Sequence, residues 1–216
     1  YVGLPLAVEF CRKGFRVAGF DVDRGRLGQL RAGLSYISDV SSEELRRLTR
    51  GRLFRAGDRF EALSLQDAIL VCVQTPLRKT KEPDVSNILA AMRAIAARLR
   101  RGQLIVVEST IYPGATEEVI LPALQESGLR VGRDFFLAFS PERVDPGNAA
   151  WNIANTPKVV GGADAASTRL AAQLYAAVIE RVVPVSSTRA AEVVKLLENT
   201  FRAVNIALVN ELAQVC

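Results

Sequence analysis

Lys195, Asn199 and Arg202 are the residues of this chain best spaced to act together. Lys195 and Asn199 stand four apart, so on a helix they share a face. Arg202, three further on, lies on nearly the same face. A helix that presents an ammonium, an amide and a guanidinium together, with Leu196, Leu197, Val204 and Ile206 available for packing, could line an anionic cleft. A solvated polar stripe is the plainer alternative. Further polar groups follow apolar runs. Thr75 comes after AILVCV, Ser109-Thr110 after QLIVV, and Glu142, in SPER, after FFLAF. Each has its own plain alternative, such as a helix cap at Ser109-Thr110 or a loop carboxylate paired with Arg143.

The elements that must position these groups begin with YVGLPLAVEFCRKGFRVAGFDVD. Gly3 suits a turn where a side chain would block close packing. Leu4, Leu6, Ala7 and Phe10 mark a helix that buries one face. Residues 16–20 read as a strand. Asp21 then falls about 20 residues after the turn, where a dinucleotide-binding unit puts the carboxylate that holds the adenosine ribose. The full fingerprint, G-x-G-x-x-G after a strand, is not present. Only its last glycine can be here, so the sequence is expected to be a stretch cut inside the fingerprint. The alternative is a helix-start glycine and a loop carboxylate.

Beyond Asp21, buried strands are expected at 68–73, 103–107, 135–139, 158–160 and 181–185, with helices at 24–32, from 41, 84–101, 113–125 and 164–178. Short loops and strand–helix alternation call for a parallel sheet covered by helices on both faces. Ligands bind such sheets at the carboxyl ends of the strands. Asp21, Thr75, Ser109-Thr110 and Glu142 all fall at those ends. From Ser187 the alternation stops, and 188–216 reads as one long helix without Gly or Pro. A boundary is therefore expected near 186, with domains at 1–186 and 187–216.

The totals describe ordinary globular material. The 216 residues are 49% hydrophobic and 24% charged, with a net charge of +5. No apolar run approaches a membrane span. The arginines are dispersed and not interleaved with aromatics, which argues against nucleic acid. A mild positive field suits an anionic cofactor or nucleotide. Cys11, Cys72 and Cys216 have neither metal nor disulfide spacing, which points to a reducing, cytoplasmic compartment. Cys11 and Cys72 are expected to be small core residues. There is no histidine, so no His-based acid–base chemistry and no His-ligated metal site is available here. No metal is expected.

Taken together, YVGLP, FDVD, a strand ending in TP, ESTIYPG, SPERVDPGN, PKVVGG and EVVKLLENTFRAVNIALVNELA resemble the nucleotide-sugar 6-dehydrogenases. The branch is that of UDP-glucose and UDP-N-acetylhexosamines. SPERVDPGN and the KEPDVS loop look most like the UDP-N-acetylglucosamine enzymes, with the UDP-N-acetylmannosamine enzymes close behind. The resemblance runs along the whole chain. It implies a Rossmann-type NAD domain followed by the start of an all-helical, dimer-forming central domain. It also implies oxidation of a sugar C6 alcohol to a carboxylate with two NAD⁺, by way of a cysteine thioester.

By position, the resemblance implies that Tyr1, Val2 and Gly3 meet the pyrophosphate, Asp21 the ribose, Arg26 the adenosine end, and Thr75 and Thr110 the rest of the cofactor. Thr110 and Glu142 hold the hydrolytic water. Arg143 and Val144 belong to the substrate loop. Lys195 stabilises the oxyanion or moves a proton, Asn199 holds the substrate oxygen, and Arg202 contacts the sugar nucleotide. These types suit the chemistry. A fixed cation and an amide stabilise an oxyanion, and a hydroxyl with a carboxylate polarises a water.

The departures matter as well. The family's Gly-Gly-x-Cys nucleophile is not in this sequence, since Gly161-Gly162 is followed by Ala163-Asp164. Cys216 matches no catalytic position. Gln74 stands where a proline is usual. The stretch is expected to be inactive alone, to bind NAD⁺ weakly, and to self-associate through its last helix as a homodimer or more. Two other functions compete: a single-hydride dehydrogenase of the β-hydroxyacid type, and an inactive nucleotide-binding remnant.

Overall fold

A computed structural model describes residues 2–76, 83–143 and 153–215. Tyr1, Val144 and Cys216 lie outside the described residues, as do parts of KEPDVS and SPERVDPGN. The chain opens with α1 (Gly3–Arg12), β1 (Val17–Phe20), α2 (Arg24–Arg31), α3 (Ser42–Arg50) and β2 (Phe54–Gly57). A 3-10 turn (Phe60–Leu65), β3 (Ala68–Val71), α4 (Ser86–Ala96) and β4 (Leu104–Val107) follow. Then come a π-helical turn at Thr116–Ile120 that continues into α5 (Leu121–Gln125), β5 (Phe136–Phe139), β6 (Lys158–Gly162), α6 (Ala165–Ala176), β7 (Val182–Pro184) and α7 (Thr188–Val215). Side-chain caps fit the sequence. Asp23 accepts from the N–H groups of Gly25 and Arg26, Ser41 from that of Glu44, and Asp164 from that of Ser167.

Five strands make one sheet in the order β3-β4-β5-β6-β7, and β1-β2 make a parallel pair of their own. The apolar runs AILV and LIVV lie in the middle layer, and every residue of β4 is buried. α1 joins the two ladders by burying two faces rather than one. Leu6 and Phe10 pack with Leu104, Val106 and Tyr175, while Leu4, Val8 and Cys11 pack with Leu45, Leu48 and Phe54. Ala7 is only half-buried. The strand β2 was not expected. Its FRAG sequence is too short and polar to stand out, and its ladder with β1 selects it.

The expected parallel sheet is present in β3-β4-β5, with one reversal beyond it. β5 and β6 run antiparallel, with Phe139 opposite Gly161 and Ala138 opposite Gly162. Reversing direction requires no helical crossover, whereas the parallel pair β6–β7 is joined through α6. The reversal puts the first residue of β6, Lys158, beside the carboxyl ends of β4 and β5.

α7 crosses the sheet at its start and then departs from it. Thr188, Ala191 and Glu192 are its buried residues, and from Asn199 to Val215 it is exposed throughout. The backbone of Ser187 lies against Gly161, where a Cβ would sit 2.0 Å from the Ser187 carbonyl oxygen. That close approach is what a glycine at 161 permits.

Candidate functional site

The parallel strands end in one polar region, as the alternation requires. After β3, the Thr75 hydroxyl donates to the Thr110 carbonyl oxygen at 2.7 Å and so ties two strand-end loops together. After β5, Glu142 and Arg143 face α7. Lys195 Nζ donates to the main-chain oxygen of Glu142 at 2.7 Å. Arg143 grips the Glu198 carboxylate with Nε at 2.9 Å and with a second guanidinium nitrogen. Its Nη1 also donates to the Pro157 carbonyl at 2.6 Å. Partial burial pushes the Lys195 ammonium below its usual range. Glu142 and Glu198 oppose that shift, and Arg202 and Arg143 add to it.

The start of α7 is fixed by an acid. Glu192, 1% exposed, accepts from the Gly114 and Thr116 N–H groups (2.5 and 2.9 Å) and from the Thr116 hydroxyl (2.5 Å). It thereby caps the Thr116–Ile120 turn from another element. One carboxylate locks the loop after Thr110 to the helix that carries Lys195.

Asn199 is one turn beyond Lys195, and Arg202 nearly one more; both are exposed. The structure therefore joins Lys195 to Glu142 directly, while Asn199 and Arg202 follow on the same helix outside the packed region.

The dinucleotide end has its own arrangement. Val2 is the N-cap of α1 and forms no side-chain cap, and the first turn holds no acid. Such a helix start favours an anion. Gly3 lies against Cys72, where a Cβ would come 3.4 Å from the Cys72 Cβ. Asp21 ends β1. Its Oδ1 accepts from the Asp23 N–H at 2.9 Å, and its Oδ2 is 3.6 Å from Arg26. The Arg26 guanidinium also stacks 5.7 Å from the centre of the Tyr36 ring. An uncapped helix start beside a strand-end carboxylate fits a dinucleotide: one suits the pyrophosphate, the other the ribose hydroxyls.

Neither described cysteine is an activated thiol. Burial pushes Cys11 up to about 11, and burial beside Glu108 raises Cys72 well beyond its usual value. Among the described residues no group of three or more His, Cys, Asp or Glu could hold a metal. No helix there is long and apolar enough to cross a membrane.

One cluster escaped the sequence reading. Glu108, Lys158 and Tyr175 are 2%, 5% and 0% exposed. Lys158 pairs with Glu108 at 2.5 Å, and the Tyr175 hydroxyl donates to the other Glu108 oxygen. The signal available was an isolated lysine heading an apolar strand, KVVGG, but an all-parallel sheet would put it at the wrong end.

An α/β sheet with helices on its faces, an anion-ready helix start and a strand-end carboxylate defines a Rossmann-type dinucleotide-binding protein. The chain belongs to the UDP-glucose/GDP-mannose dehydrogenase family: residues 1–179 match its NAD binding domain and 189–216 its central domain. It carries the NAD-binding part of that family. It is 40% identical to a UDP-N-acetyl-D-glucosamine 6-dehydrogenase of Pseudomonas aeruginosa, over 99% of this chain and 50% of that protein. It is 38% identical to the enzyme of the same name from Salmonella typhi, over 99% and 50%. The structure of a UDP-D-ManNAc dehydrogenase from Pyrococcus horikoshii superposes with a TM-score of 0.91 at 37% identity, covering 98% of this chain and 50% of that one. The chain thus spans about half the length of the curated relatives it matches.

Proposed function

We propose that this chain is the NAD-binding half of an enzyme that oxidises the C6 hydroxyl of a UDP-sugar, a UDP-N-acetylhexosamine such as UDP-N-acetylglucosamine, to the uronic acid. The single observation that carries the reading is the seating of Lys195 on the Glu142 main chain, at the carboxyl ends of the strands that adjoin the dinucleotide site. NAD⁺ supplies the hydride acceptor. The overall change is R–CH₂OH + 2 NAD⁺ + H₂O → R–COO⁻ + 2 NADH + 3 H⁺.

In this reading Val2 and Gly3 orient the pyrophosphate, and Asp21 accepts from the ribose hydroxyls, with Arg26 beside it. The Thr75–Thr110 pair borders the nicotinamide end. Lys195 and Asn199 stabilise the oxyanion formed at C6, and Thr110 with Glu142 orients and deprotonates the water that releases the product. Arg143 and Arg202 contact the sugar nucleotide. The acyl group is carried on a cysteine that is none of the three in this sequence. Relatives with the same two domains, named for UDP-N-acetylhexosamine oxidation, support the substrate class. The apolar side of α7 supports a homodimer or larger assembly.

The test is turnover by the whole open reading frame in which this sequence lies. Two NADH per UDP-N-acetylglucosamine consumed is the expected result. One NADH per sugar would favour a single-hydride dehydrogenase and overturn the thioester route.

A further inference from the structure

A buried cation lies behind Glu142, and it comes from a strand the site does not otherwise use. Lys158 Nζ sits 2.5 Å from Glu108 Oε2 and 3.7 Å from Glu142 Oε2, with the Pro141 carbonyl oxygen at 3.5 Å. Its ammonium also lies 5.3 Å from the centre of the Tyr175 ring. Glu108 receives one donor on each oxygen, Lys158 on Oε2 and Tyr175 on Oε1. Burial raises the Glu108 carboxyl above its usual range, while the Lys158 ammonium and the Tyr175 hydroxyl favour its ionised form. Burial disfavours the Lys158 ammonium, yet Glu108 and Glu142 outweigh it and hold the lysine above its usual range.

Glu108 and Glu142 therefore both face the Lys158 ammonium. Glu108 is wholly enclosed, so its own compensation is obligatory. The Tyr175 hydroxyl takes part of that duty and leaves the lysine able to face Glu142 as well. The antiparallel turn-back of β6 is what makes this possible, because it brings Lys158 beside the end of β5.

We propose that Lys158 is the positioning residue of Glu142: seated on the buried Glu108–Tyr175 pair, its ammonium holds the Glu142 carboxylate in place at the strand ends. The role in product release rests on the proposed function; the electrostatic link itself does not. A carboxylate that must accept a proton from water works only when ionised and held in one orientation. Among the described residues, Cys72 after β3, Arg143 next in sequence and Lys195 on α7 also lie near Glu142.

The experiment is the crystal structure of the whole enzyme encoded by the open reading frame in which this sequence lies, as Glu108→Gln and as Glu108→Gln/Lys158→Met. Both lack the buried carboxylate, so they differ only in the Lys158 ammonium. The expected result is a Glu142 side chain that keeps its rotamer in Glu108→Gln and leaves it in the double variant. The same Glu142 rotamer in both variants overturns the proposal. If the double variant does not fold, Glu108→Gln/Lys158→Gln takes its place with the same two outcomes. No substrate or cofactor enters the measurement. Failure of the UDP-sugar reading leaves the result intact, and an unmoved Glu142 leaves that reading intact.

Discussion

At the scale of single residues, Lys195 carries a cost that its position explains. Half-burial lowers its proton affinity, which penalises the charged form in the folded state. Because the folded value lies below the unfolded one, the unfolded chain binds more protons between the two. Stability attributable to this group therefore rises as pH climbs through the folded value toward 10.5. In Lys195→Met this rise is expected to disappear, as urea denaturation at pH 8 and pH 10 can measure. Turnover in the whole enzyme should fall by about 10²–10³, the usual loss for removing one oxyanion-stabilising donor. Retained turnover in Lys195→Met would remove this lysine from the chemistry.

At the scale of elements, the first turns of α7 are held by contacts that admit little variation. Gly161 faces the Ser187 carbonyl so closely that Gly161→Ala must displace backbone. The expected loss is about 3 kcal/mol in urea denaturation. Gly28 is the opposite case: it lies inside α2 with nothing within 4 Å of a built Cβ and no positive φ. Gly28→Ala should stabilise by about 0.5–1 kcal/mol. Glu192→Ala strips three donors of their acceptor at a buried helix start. It should cost about 2–3 kcal/mol, and it should also lower turnover because the helix carrying Lys195 loses its anchor. A variant that loses stability but keeps full turnover would show that the anchor and the site are independent.

At the scale of the whole molecule, α7 is the part that does not close on itself. Phe201, Val204, Ile206, Leu208, Val209, Leu212 and Val215 are all more than half exposed. So large a run of apolar side chains on one helix favours association. The 216-residue protein is expected to sediment as a dimer or larger species, and Val209→Lys/Leu212→Lys to shift it toward monomer. A monodisperse monomer in the unmodified protein contradicts this expectation.

Much of the architecture was legible in the sequence because it depends on local pattern. Continuous apolar runs of four to six residues marked β3, β4 and β5, since a strand covered on both faces has no polar side to show. The Gly-free and Pro-free stretch after Ser187 marked α7. The spacing of Lys195 and Asn199 on one face follows from helical geometry alone. The strand direction of β6 was not legible. Direction depends on how the chain returns between β5 and β6, and no residue type encodes it. From that single reversal follow the approach of Lys158 to Glu108 and Glu142, and the meeting of a β4 acid, a β6 lysine and an α6 tyrosine. Which segments are buried and which polar groups lie at strand ends can be read in order along the chain, because hydrophobic periodicity is written residue by residue. Which of those groups touch cannot, because contacts such as Lys158 with Glu108 and Glu142, or Tyr175 with Glu108, depend on topology and close packing.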